Sequence, residues 1–231
     1  MDVLHMDRYA IIVAGGSGTR FGSEVPKQFL PLSGLPVLMR TIAKFADCGA
    51  RVVLVLPASQ QEYWHELCER YSFAVPCRVV PGGDSRFASV RNGLSAISAS
   101  EGDVVAVHDG VRPLVSPVVI ERAFAEASAF GSAVPVVPVT DSIRRIVAGG
   151  ASHAMRRDEL VAVQTPQTFD AVSLKAAYAV EFSPMFTDDA SVFEAAGHEV
   201  HLIDGNVENI KITHPCDIAI AENLLKNGTT R

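Results

Sequence analysis

The chain has little that would commit it to extracellular, membrane or metal-scaffold chemistry. Its four cysteines, Cys48, Cys68, Cys77 and Cys216, form no C-x-x-C pair and stand at no metal-like spacing from a histidine. Neither a disulfide framework nor a structural zinc site has support, and reduced thiols are expected. No apolar run approaches the roughly 20 residues that cross a bilayer. Met1 to Arg8 carries Asp2, His5, Asp7 and Arg8 where a secretory signal would be apolar, so a cytoplasmic protein without a membrane partner is expected. Charge of one sign never accumulates, and the net charge is −6, which leaves a nucleic-acid surface unsupported. A polyanionic ligand would need a local basic cluster to hold it against that field.

What the chain does have is core-forming sequence. With 231 residues and 48% hydrophobic composition, it can bury one sizeable core as a single domain. Short runs rich in valine and isoleucine alternate with helical patterns, the signature of an α/β fold with a mostly parallel, doubly wound sheet. Tyr9 to Ala14, Arg51 to Pro57, Arg78 to Val80, Asp103 to Asp109 and Ala133 to Val139 read as strands. Pro36 to Ala46, Ser59 to Tyr71 and Phe87 to Ala99 read as helices, the second opening on a Ser59/Glu62 capping box. Ser116 followed by Pro117 predicts a capped helix to about Ala129. The tail predicts helices over Asp170 to Val180, Asp188 to Ala196 and His214 to Asn227, and strands over His198 to Ile203 and Asn209 to Ile212. Between Thr140 and Asp158 the alternation lapses. The Gly149-Gly150 pair and four arginines there fit either a hairpin arm or a surface loop.

The strongest motif follows the first strand, Ala14-Gly15-Gly16-Ser17-Gly18-Thr19-Arg20-Phe21-Gly22, and then Pro26-Lys27-Gln28. Glycines at a strand's carboxyl end let backbone N–H groups approach phosphate oxygens, at the edge where open α/β sheets bind ligands. It is not a Walker loop, because Lys27 comes five residues after Gly22. Nor is it a dinucleotide fingerprint, because Phe21 stands where a third glycine is needed and no acid closes the second strand. A merely tight turn would leave Arg20 and Lys27, which flank it, unexplained. The strand Val104 to Asp109 ends in a carboxylate beside this loop, a candidate ligand for Mg²⁺ together with substrate phosphates. Alone, Asp109 would read more simply as a hydrogen-bonded strand end, and His108 as a packed residue. Pro81-Gly82-Gly83-Asp84-Ser85-Arg86, with Ser89 one turn further, could read a base through main-chain groups and a hydroxyl, or be an ordinary strand-to-helix turn.

Taken together, GGSGTRFGSEVPKQF, GGDSRFASVRNGL, HDGVRP, the stretch from Arg157 to QTPQTF, FTDDAS and NIKIT resemble the 2-C-methyl-D-erythritol 4-phosphate cytidylyltransferase family from about Tyr9 to Leu225. The resemblance implies a Rossmann-like nucleotidyltransferase fold, a homodimer joined by an arm at about 140–158, Mg²⁺ dependence, and transfer of CMP from CTP to methylerythritol phosphate in isoprenoid biosynthesis. It makes Arg20 and Lys27 the cations on the triphosphate. Ala14, Gly15, Gly83, Asp84 and Ser89 match the cytidine-binding positions, within a nucleotide site that takes in Gly16 and Gly18 of the glycine loop. Asp109 matches the metal-associated acid and Arg112 its basic neighbour. Ser142, Arg157, Thr165, Thr187 and Lys211 match the acceptor site, with Ser142 and Arg157 reaching across from the partner subunit. Arg157 and Lys211 thereby join Arg20 and Lys27 as catalytic candidates. The sequence departs from the common pattern at Gly15 for alanine, Gly110-Val111 for two alanines, and Ser142 for threonine. The competing readings are a ribitol-5-phosphate cytidylyltransferase, a catalytically silent nucleotide-binding regulator, and a dinucleotide-dependent oxidoreductase, the last disfavoured by Phe21.

Overall fold

The computed structural model describes residues 6–15 and 25–228. Its centre is an eight-stranded mixed sheet. In chain order its strands are β1 (Arg8–Val13), β4 (Arg51–Leu56), β5 (Cys77–Pro81), β6 (Val104–Asp109), β7 (Ser132–Pro138), β10 (Val161–Val163), β11 (Gln167–Asp170) and β12 (Leu202–Asp204). In space the order is β10-β7-β11-β6-β1-β4-β5, with β12 beside β7. β1 pairs in parallel with both β4 and β6, and β4 with β5. β12 is parallel to β7, while β11 runs antiparallel to β6 and β7, and β10 antiparallel to β7. The fold class is as expected, mostly parallel but mixed.

Alternation along the strands divides the core in two. From β1, Ile12 packs on one face with helices α1 (Val37–Asp47), α2 (Ala58–Arg70) and α4 (Pro117–Phe130), through Leu38, Ile42, Trp64 and Phe124. Its neighbour Ile11 packs on the other with α3 (Arg86–Ser95), α5 (Ala171–Ala177) and α6 (Asp189–Ala195), through Val90, Leu94, Leu174 and Phe193. A smaller cluster seats α7 (Pro215–Lys226) on the β2 (Pro31–Leu32)/β3 (Leu35–Pro36) hairpin, through Leu32, Ile212 and Ala221.

The capped helix after Ser116 forms as read: Ser116 Oγ accepts from Val118 N–H, Pro117 opens the first turn, and Gly131 closes the helix at φ 84°. The segment left open between arm and loop is a hairpin, β8 (Arg144–Ile146) against β9 (Ser152–Ala154). Gly149 and Gly150 both take positive φ at its tip.

Four readings need correction. The Ser59/Glu62 capping box does not form; α2 begins at Ala58, after Pro57, without a side-chain cap. The strand read at His198 to Ile203 is three residues, Leu202–Asp204. Asn209 to Ile212 is not a strand but a loop pinned by Ile212 N–H donating to Val111 O, 2.9 Å. α3 stops at Ser95, short of Ala99.

Candidate active site

The parallel register sets Asp109 opposite Val13, so the acid at the end of β6 lies beside the point where the glycine loop leaves β1. Three cations face its carboxylate: Lys211 Nζ at 2.9 Å from Oδ2, Arg112 Nε at 3.4 Å from Oδ2, and Arg86 Nε at 3.8 Å from Oδ1. Burial alone would raise the Asp109 pKa, but Lys211 and Arg86, with Arg112 behind them, hold the carboxyl well below the usual carboxylate range. Because Asp189 neutralises Arg86, Lys211 and Arg112 leave a local excess of positive charge in a chain whose net charge is −6. This is the basic cluster that a polyanionic ligand requires.

The wall behind Asp109 is a fixed relay. Asp109 N–H donates to Thr165 Oγ1 (3.1 Å), Thr165 Oγ1 lies 3.0 Å from His108 Nδ1, and His108 Nε2 lies 3.1 Å from the Arg112 carbonyl. A carbonyl only accepts, so Nε2 carries the proton and Nδ1 accepts from the Thr165 hydroxyl. Burial pushes the His108 pKa down to about 4, so the ring is neutral and structural rather than a base. Asn209 completes the wall. Its side-chain N–H donates to Thr165 O at 2.8 Å, and its main-chain carbonyl accepts from the Arg112 guanidinium at 2.7 Å. That fixes the loop which, two residues on, delivers Lys211.

On the neighbouring edge, the turn between β5 and α3 carries the expected base-reading residues. Ser89 is buried, and its hydroxyl accepts from Gly83 N–H at 3.1 Å. A Cβ on Gly15 would come 3.9 Å from that same oxygen, so the end of β1 and this turn converge on Ser89. Gly83 has a steric requirement: a Cβ there would lie 2.5 Å from the Ala88 Cβ. Gly110, a departure from the family pattern, is also tight, since its Cβ would approach Ala14 Cβ to 2.9 Å. Asp84 is exposed in the turn. Ala14 is buried with its backbone occupied, N–H donating to Val55 O and its carbonyl accepting from the Gln28 side chain. Through that bond Gln28 ties the Lys27–Phe29 turn, and so Lys27, to the end of β1. Gly16, Gly18 and Arg20 lie outside the described residues.

The acceptor candidates fall in three places. Thr165 and Lys211 stand at Asp109. Thr187 is exposed just ahead of α6, its N–H donating to Ser191 Oγ. Ser142 and Arg157 are exposed on the hairpin arm, where Arg157 donates to Thr140 O at 2.6 Å and closes the arm's base. Neither makes a hydrogen bond or ion pair to the Asp109 cluster among the described residues. Sequence reasoning missed Arg86 and Asp189. Arg86 grips the fully buried Asp189 with two bonds, 3.0 and 2.5 Å, and Tyr178 O–H donates to the same carboxylate at 2.6 Å. A signal was present: an arginine at the first position of a helix opposes the helix dipole and calls for an acidic partner.

Known proteins fit this geometry. The family model described as IspD, 2-C-methyl-D-erythritol 4-phosphate cytidylyltransferase, matches residues 9–227. The chain belongs to this family. A relative of that name from Bacteroides fragilis is 50% identical over 222 residues, covering 95% of this chain and all of its own. One from Porphyromonas gingivalis is 50% identical, covering 96% and 99%. Among solved structures, a 4-diphosphocytidyl-2C-methyl-D-erythritol synthase from Anaerococcus prevotii superposes with TM-score 0.80 at 28% identity, covering 96% of each chain. The 2-C-methyl-D-erythritol 4-phosphate cytidylyltransferase from Thermus thermophilus does so with TM-score 0.75 at 32% identity, covering 96% of this chain and all of its own. The family match spans residues 9–227, which takes in the β5–α3 turn, the Asp109 cluster and the hairpin arm. The oxidoreductase and silent-regulator readings lose their ground.

The fit of Mg²⁺ rests on Asp109. Oδ2 is engaged by Lys211, whereas Oδ1 meets, among the described residues, Arg86 Nε at 3.8 Å, an ion-pair contact rather than a hydrogen bond. Among the described residues no cluster of three or more His, Cys, Asp or Glu could hold a metal alone. A carboxylate oxygen that accepts no hydrogen bond among the described residues suits a cation whose remaining ligands are substrate phosphates and water.

Proposed function

We propose that this chain is a cytidylyltransferase that transfers CMP from CTP to 2-C-methyl-D-erythritol 4-phosphate and releases pyrophosphate, a step of isoprenoid biosynthesis by the non-mevalonate route. The observation that carries the reading is the Lys211–Asp109–Arg112 cluster at the end of β6, on the same sheet as the Gly83–Ser89 turn that follows β5, with β1 and β4 between them. The cluster supplies positive charge for a polyanion, and the turn offers the Ser89 hydroxyl and main-chain groups to a base. Attack of an acceptor phosphate oxygen on the α-phosphorus of CTP brings two anions together, so catalysis comes from alignment and charge neutralisation, with no protein nucleophile. Ala14, Gly15, Gly83, Asp84 and Ser89 hold the cytidine, and Gly16, Gly18, Arg20 and Lys27 hold the triphosphate. Arg112 and Lys211 steer negative charge toward Asp109. Asp109, with triphosphate oxygens, would hold Mg²⁺, which when bound neutralises phosphate charge.

The acceptor phosphate is held by Lys211, Thr165 and Thr187, with Ser142 and Arg157 supplied by the partner's arm in a cytoplasmic homodimer. The arm's exposed Arg157, already fixed at its base by Thr140, supports that role, because a planar guanidinium can grip a phosphate bidentately. The test is pyrophosphate release from CTP with methylerythritol phosphate and ribitol phosphate as competing acceptors, with and without EDTA. Release that favours methylerythritol phosphate and stops with EDTA is expected. Preference for ribitol phosphate would overturn the acceptor, and no release with either would overturn the activity.

A further inference from the structure

The turn that reads the nucleotide and the turn that precedes α6 belong to different parts of the chain, and one side chain joins them. Arg86 is the first residue of α3, immediately after Ser85, whose hydroxyl caps that helix by accepting from Ala88 N–H at 3.0 Å. Its guanidinium spans the gap to Asp189, the first residue of α6, by the paired bonds described above. Asp189 is buried completely and takes a third bond from Tyr178. Its chain neighbour Asp188 caps α6 and accepts from the buried Gln167 at 2.9 Å, so the turn bearing Thr187 is set by the same few bonds. The guanidinium's third nitrogen, Nε, faces Asp109 Oδ1. One planar fork thus touches three parts of the site. Nothing in the reaction requires Arg86 to meet substrate, and its charge is already answered by Asp189.

We propose that Arg86 is a positioning residue that locks the nucleotide turn, the Thr187–Asp188 turn and the Asp109 carboxylate into one geometry, so that CTP and the acceptor phosphate meet in line. The inference rests on the cytidylyltransferase reading. A guanidinium suits this role because its nitrogens are fixed in a plane; a lysine at position 86 could answer Asp189 or Asp109 but not hold both. Misplacing either reactant by about an ångström lowers an in-line transfer on the order of a hundredfold.

The test separates positioning from stability. Arg86→Met leaves Asp189 buried without a counter-charge, with the Tyr178 hydroxyl still donating to it, so loss of fold would mimic loss of alignment. The triple variant Arg86→Met/Tyr178→Phe/Asp189→Leu removes the whole polar unit and replaces it with apolar side chains, which restores packing without restoring the fork. Thermal unfolding and the steady-state constants for both substrates are measured on wild type, Arg86→Met, Arg86→Lys and the triple variant. We expect the triple variant to melt near wild type yet to lose kcat on the order of a hundredfold and to raise KM for both substrates, with Arg86→Lys failing to recover it. A triple variant with wild-type kcat and both KM values would make Arg86 a purely structural anchor and overturn the proposal. A rise in KM for CTP alone would also overturn it, because the fork would then serve one half of the site. An inactive wild type overturns the parent reading together with this one, whereas an active wild type with unchanged Arg86 variants overturns this one alone.

Discussion

Acidification should unfold this protein through His108 in a way that can be isolated. The imidazole is buried at the end of β6, proton on Nε2 toward the Arg112 carbonyl and Nδ1 accepting from Thr165. Protonating it would place a second N–H against the Thr165 hydroxyl, which already accepts from Asp109 N–H. Burial accordingly depresses its pKa from 6.5 to about 4. Between those values the unfolded chain binds a proton that the native chain refuses, so stability rises with pH across that window. The contribution is complete above the unfolded pKa and is lost as pH falls toward 4. At 1.36 kcal/mol per unit of pKa difference, a drop from about pH 7 to about pH 5 removes about 2 kcal/mol through this one residue. Urea unfolding of wild type and His108→Gln at both pH values isolates the term, because every other titrating group is common to the two proteins. Glutamine keeps a donor for the Arg112 carbonyl and cannot titrate. The wild type should lose about 2 kcal/mol more than the variant over that drop. Equal losses would mean that His108 is protonated in the native state and that the relay to Asp109 is drawn wrongly.

Three further outcomes follow from the site. Gly83→Ala should raise KM for CTP and lower the melting temperature, because its Cβ meets that of Ala88 at 2.5 Å, and Ala88→Gly in the same chain should relieve both; unchanged kinetics in the single variant would remove the turn from the nucleotide site. Lys27→Ala should lower kcat on the order of a hundredfold while weakening CTP binding less, since a cation that answers charge developing in the transition state acts on the chemical step; near wild-type kcat would make Lys27 a surface lysine. Arg157→Ala should raise KM for methylerythritol phosphate and lower kcat with CTP affinity unchanged, and mixing its dimers with inactive Lys27→Ala dimers should restore activity, because one site of each heterodimer keeps both residues. Absence of rescue in a heterodimer confirmed by mass would put Arg157 in its own subunit's site or in none.

The parts of the fold that the sequence made legible are those whose signal is local. β1, β4 and β6 are near-continuous apolar runs because both faces of the sheet are covered, and Asp109 stands out as the charge that ends one of them. The Ser116-Pro117 start needed only short-range geometry, whereas Gly149-Gly150 fitted a hairpin or a loop until the β8–β9 pairing decided it. The stretch VAVQTPQTFD did not announce β10 and β11, because Pro166 breaks the alternation and the two short strands are set by antiparallel pairing to β7 and β6. Asn209 to Ile212 misled for the opposite reason. Its Asn-Ile-Lys-Ile alternation imitates a strand, yet the segment is held by Arg112, Thr165 and Val111 rather than by a ladder. Within the candidate site, the residues that the sequence singled out carried a motif of charges or glycines, and Arg86, inside one such motif, was given no role. Its partner Asp189 lies 103 positions away, and only folding brings them together.

The most direct test of the central claim follows the α-phosphorus of CTP. With CTP labelled at that atom, methylerythritol phosphate and Mg²⁺, the label should appear in a CDP-linked alcohol whose mass equals CMP joined to the acceptor, while the released pyrophosphate carries none. Label recovered as free CMP, or label in the pyrophosphate, would mean that the acceptor phosphate does not attack the α-phosphorus, and the account of this site would fail.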